Sequence, residues 1–140
     1  MERSSKEDFD ELSYYTLSHP DAIYFIHQHV VDVFQAQNAT VDTKPIGLIF
    51  SLVGLYLYLE KKYTGRQVQQ AHQQLAQNKK VWPSVELPIQ KGEITISDVL
   101  RANHGQQRDE MIKKWCNSVW NAYNNSHESI SSFVKGELGV

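Results

Sequence analysis

Residues Pro45–Leu59, PIGLIFSLVGLYLYL, are apolar on nearly every side and carry no charge until Glu60. A helix that is oily all round has to be wrapped by its neighbours. Within it Gly47, Ser51, Gly54 and Tyr58 fall at i, i+4, i+7 and i+11, one thin stripe of small or hydroxyl-bearing residues. Such a stripe marks either the close approach of a second helix or the wall of a pocket. The segment is shorter than the roughly 18 apolar residues of a membrane span. It also contains two Gly, a Ser and two Tyr, so it reads as a buried core helix and no membrane is expected.

A chain of 140 residues supports one domain with a single sizeable core. Its net charge of −2 and the absence of any basic block longer than Lys61-Lys62 or Lys79-Lys80 argue against a nucleic-acid partner. A single cysteine, Cys116, rules out an internal disulfide and a thiolate-rich zinc site, and points to a reducing cytoplasm. The acidic, polar start MERSSKEDFDE is unlike a secretory signal.

Helical punctuation runs along the whole chain. Ser4-x-x-Glu7 has capping-box form and starts a first helix near Ser5, with Phe9, Leu12 and Tyr15 as its apolar edge. His19-Pro20 breaks that helix and opens a second over about 20–37, with Asp21 in its first turn. Ala22, Ile23, Ile26, Val30, Val33 and Phe34 form the apolar stripe of this second helix. His29 and Gln37 lie within that stripe and Asp32 at its margin, while His27 falls about 160° from His29. The central helix is expected to run to about Tyr63. Thr64-Gly65-Arg66-Gln67 then stops one helix, with Gly65 as the breaker, and caps the next, about 65–77, whose inner side holds Val68, Ala71, His72 and Leu75. Residues 79–91 read as an irregular arm anchored by Trp82. A short helix follows from Thr95, another over 106–123, and a C-terminal one from a capping-box form at Asn125-Ser126-His127-Glu128, weakened at Gly136. The expected architecture is an all-α bundle of five or six helices around the central one.

Counting residues outward from the turns near Val41 and Thr64 places His29 opposite about Val53, Asp32 opposite about Phe50, and His72 opposite about Tyr56. Two imidazoles then meet beside Gly54, with Asp32, Ser51 and Tyr58 within a turn or so. Three chemistries fit. His29, Asp32 and His72 could ligate a divalent metal, or Asp32 could orient an imidazole for acid–base work with Ser51 and Tyr58 positioning a small substrate. The third and default reading is a satisfied buried hydrogen-bond network. Lys44 and Arg66 sit at helix starts, where a cation is disfavoured, which makes them weaker candidates for anion contacts against the simpler reading of salt bridges. Trp115 and Trp120 are five apart, so one is expected in the core and the other exposed at a subunit contact, and Cys116 is read as inert packing.

The segments HPDA, HQHVVD, KPIG, GLYLYLE, TGRQVQ and WCNSVW, spread over about Ser18–Trp120, resemble a family of small uncharacterised bacterial helical proteins. The resemblance implies one compact domain and carries no activity. Two functions of different class therefore stand as expectations. One is an enzyme or small-molecule-binding protein with a His/Asp pocket, with or without a divalent metal. The other is a non-catalytic helical module that assembles with itself as a homodimer or with a partner.

Overall fold

The computed structural model describes residues 4–18 and 24–140, and these form seven α-helices and no strand. They are α1 (Ser5–Ser18), α2 (Ile26–Gln37), α3 (Pro45–Lys61), α4 (Gly65–Leu75), α5 (Ile96–Arg101), α6 (Gln106–Ala122) and α7 (His127–Leu138). Each of the seven segments with helical punctuation forms a helix, one more than the upper count expected for the bundle. α3 is the buried rod, touched by α2, α4, α6 and α7, with Leu48, Ile49, Leu52, Val53, Leu55 and Leu57 sealed from solvent.

Ser51, Gly54 and Tyr58 of the small-residue stripe face α2, while Gly47 is exposed with nothing within 4 Å. Ser51 Oγ donates to Gln35 Oε1 at 2.9 Å, the Asp32 carboxyl lies against Gly54, and the Tyr58 ring stacks on His29. A Cβ at Gly54 would lie 2.0 Å from Asp32 Oδ2, so only glycine admits the carboxyl there.

Several local expectations change in detail. α2 begins at Ile26, because Tyr24 is in a turn and Phe25 is left-handed at φ 44°. That turn aims the Tyr24 carbonyl at the Gly65 N–H and lays the Phe25 ring under the Arg66 guanidinium at 4.0 Å. The readings of His19, Pro20, Asp21, Ala22 and Ile23 lie outside the described residues. Lys62, not Gly65, stops α3, adopting φ 60°. Gly65 is instead the first residue of α4, where a Cβ would meet the Phe25 carbonyl oxygen at 1.9 Å. The Thr64–Gln67 and Thr95–Asp98 capping boxes form. The one at Asn125–Glu128 does not, since Ser126 Oγ accepts the Glu86 N–H at 2.9 Å and helps hold the arm.

Residues 79–91 contain no helix or strand. Trp82 anchors them between Phe50 (5.6 Å) and Phe133 (5.5 Å). Gln37 fastens the far end, donating to the carbonyls of Lys91 and Ile94 while accepting from Trp115 Nε1. Trp115 and Trp120 are both buried, at 0% and 2% exposure, so the expected exposed tryptophan is absent. Trp120 is occupied by a stack on His127 at 3.9 Å.

Two glycine substitutions should have opposite signs. Gly65→Ala drives a methyl into backbone and should cost about 2 kcal/mol or more. Gly136→Ala, inside α7 with nothing within 4 Å, should stabilise by about 0.5 kcal/mol. Urea unfolding of both variants checks the pair.

Candidate functional site

Where α2, the end of α3 and the start of α6 meet, a pocket of about 800 Å³ opens, lined at its inner side by His29, Tyr58, Ile26 and Leu59. Its rim carries Lys62, Lys113, Asp109 and Glu110. His29 enters it because α2 runs antiparallel to α3 with Gln35 on Ser51, Asp32 on Gly54 and His29 on Tyr58. The two rings are nearly parallel, 10° apart with centroids at 3.6 Å, a face-to-face stack at van der Waals contact that fixes both.

The electrostatics of this floor come from burial. His29 is 3% exposed, and desolvation lowers its pKa to about 4, so the imidazole is neutral near pH 7. Its Nδ1 is sealed from solvent with no hydrogen-bond partner. Desolvation also raises Asp32 well above the carboxylate range, more than the Gln28 Nε2 hydrogen bond to its Oδ1 lowers it. Its Oδ2 is likewise buried and unpartnered. Both orphans sit on the same face of α2, three residues apart, and the burial that favours a protonated carboxyl also favours a neutral ring. Cys116 lies beside them, its thiol approaching the His29 carbonyl at 4.0 Å, and burial followed by the Asp32 charge pushes its pKa up. That thiol is inert, as expected. Tyr58 is raised too, chiefly by burial, and stays a neutral phenol.

The structure divides the expected constellation. His29 and Tyr58 share the pocket, and Asp32 lies one turn deeper on Gly54. His72 goes elsewhere. Its Nε2 is bonded to the Phe50 carbonyl at 2.8 Å and its ring stands edge-on to Phe50, under the Trp82 arm. Phe50 and Tyr58 are eight residues apart on α3, about 12 Å of helix rise. The expected meeting of two imidazoles beside Gly54 therefore does not occur. Among the described residues no group of three or more His, Cys, Asp or Glu is placed to hold a metal ion, so His29, Asp32 and His72 do not assemble as ligands. Ser51 is fully buried and bonded to Gln35. Lys44, exposed before α3, and Arg66, stacked on Phe25 and bonded to Gln69, do not line the pocket. His27 faces away from His29, as the helical count implies, and meets Thr16 Oγ1 at 2.9 Å.

Sequence reasoning missed the contribution of α6. Asp109 looks like an ordinary first-turn acid that complements a helix dipole and Glu110 like a solvated surface acid, and nothing in their spacing points to a pocket. Asp109 is held in place by the Tyr15 hydroxyl at 3.0 Å, and Glu110 by Gln106 Nε2 at 3.1 Å.

The two buried groups should give opposing pH dependences. The folded-state pKa of His29 lies below the unfolded value of 6.5, so its stabilising contribution is complete above that pH and is lost as pH falls toward about 4. Asp32 has a raised folded pKa, so its contribution is complete at low pH and is lost as pH rises through that pKa. Chemical denaturation across pH should show an acid loss of up to about 3 kcal/mol from His29, largely removed in His29→Phe. Asp32→Asn should flatten the alkaline limb, losing less stability than the parent as pH rises.

No curated protein and no solved structure matches the chain. Among the described residues no helix is long and apolar enough to cross a membrane. A family model, described as a family of unknown function and designated DUF5946, matches residues 3–124. The chain therefore belongs to the DUF5946 family.

Proposed function

We propose that the protein binds a small organic molecule in the pocket between α2, α3 and α6, with His29 and Tyr58 as neutral hydrogen-bonding groups at its floor. The observation that carries this reading is the His29–Tyr58 stack: two polar rings, desolvated and rigidly held, face a cavity of ligand size. Ile26 and Leu59 supply apolar wall, so a compact molecule with a ring and a polar edge suits the lining. The ring edge of Tyr58 supplies a hydroxyl donor, and neutral His29 supplies a donor or an acceptor.

Binding is better supported than acid–base catalysis. An imidazole with a pKa near 4 is a weak base at neutral pH, whereas an effective general base has a pKa close to the working pH. A metal-dependent version has no support from the donor set. The assembly module loses its proposed contact residue, since Trp120 is buried, and keeps only scattered exposed apolar residues such as Tyr14 and Leu17 on α1.

Ligand-observed NMR with a library of small ring-bearing fragments tests the reading. Fragments that bind should lose about fivefold in affinity in Tyr58→Phe, which keeps the stack and removes one hydroxyl. They should be displaced altogether by Leu59→Trp, which fills the pocket. A library without hits, or hits indifferent to both substitutions, would overturn it.

A further inference from the structure

We propose that Arg108 anchors a second, separate site that takes a small oxyanion, a carboxylate or phosphoryl group. Arg108 lies in the first turn of α6, where the helix dipole disfavours a cation, yet it is only 4% exposed. Its guanidinium stands over the Tyr15 ring at 4.7 Å, and one Nη2–H donates to the Leu100 carbonyl at 2.7 Å. Nε is buried with no partner. Among the described residues Arg108 makes no ion pair; the adjacent Asp109 carboxylate is at the hydroxyl end of Tyr15, bonded there. Buried guanidinium groups are ordinarily matched by a carboxylate, because removal from water is otherwise uncompensated.

The unmatched charge borders a cavity of about 300 Å³, lined also by Glu11, Tyr14, Tyr15, Ser18 and His104. His104 is exposed and stands edge-on to Tyr15 at 5.2 Å, which adds a second nitrogen donor to one side of the opening. An oxyanion seated here would take a charge-assisted hydrogen bond from the guanidinium edge that the Leu100 carbonyl leaves open. It would also meet hydroxyls from Tyr14 and Ser18. Glu11 is the one like charge in the lining, so an incoming anion binds against it.

The test is a titration of the full chain with sodium acetate and, separately, sodium phosphate, at constant ionic strength set by chloride. Amide shifts at Gly105 and Arg108 are the readout. Saturable shifts with either anion are expected, and the anion that binds more tightly identifies the group as carboxylate or phosphoryl. Arg108→Gln should weaken binding by about tenfold or more. Because Arg108 is buried, the exposed change His104→Glu provides an independent check on a folded protein and should weaken binding about fivefold. Glu11→Gln should strengthen it by a few-fold. No saturable shift with either anion overturns the site, as does binding that His104→Glu leaves unaltered. Binding that appears only in Glu11→Gln also overturns it, by assigning the guanidinium to Glu11.

Discussion

The seam between α2 and α3 sets the position of everything else. Three contacts, Gln35 with Ser51, Asp32 with Gly54 and His29 with Tyr58, run down it at successive helical steps. The middle one is decisive. With no Cβ at Gly54, the α3 surface has a notch, and Asp32 Oδ2 occupies it. Sliding α2 along α3 by one turn would carry the carboxyl onto a larger side chain, so the notch fixes register as well as distance. The carboxyl is out of water, and that burial pushes its pKa up and favours the protonated form. One turn toward the N-terminus of α2, the same register sets His29 on Tyr58 and so forms the pocket floor.

This register explains why the local elements were legible in the sequence and their mutual heights were not. α3, the Thr64–Gln67 capping box, the Trp82 anchor and the opposed directions of His27 and His29 follow from patterns confined to a few residues. The level of one helix against another does not. Counting from the middle of the loop at Val41 assumes that both of its arms are equal. The observed pairs centre instead near Thr43, because the seven residues 38–44 climb past the end of α2 and α3 begins about one turn beyond it. That displacement moves His29 from Val53 to Tyr58. His72, on a different neighbour of α3, shifts the other way to the Phe50 carbonyl. Two offsets, of five and six residues or about a turn and a half each, separate imidazoles that equal loop arms would have brought together.

Charge was read at the wrong helix starts for a related reason. Lys44 and Arg66 attracted notice because cations are disfavoured there, but their side chains have room to leave: one is exposed and the other lies over Phe25. Arg108 breaks the same rule and cannot leave, because Tyr15 and the Leu100 carbonyl hold it inside. Burial is what separates the three, and burial of Arg108 depends on Tyr15 of α1 and the Leu100 carbonyl of α5 closing over it, which is a tertiary fact.

Tyr15 then connects the two cavities. Its ring carries the Arg108 guanidinium on the smaller cavity, while its hydroxyl donates to Asp109 on the rim of the larger one and accepts the Gly105 N–H. An occupant of either cavity therefore acts on the same phenol and on the same turn of α6. The floor of the larger pocket is sensitive to charge for a separate reason. Burial holds the His29 pKa down, and an anionic group brought against it would favour the protonated ring and raise that pKa. Binding of an anion at that floor is thus coupled to proton uptake, whereas binding of a neutral molecule is not. The proton count on binding distinguishes the two kinds of ligand from one measurement.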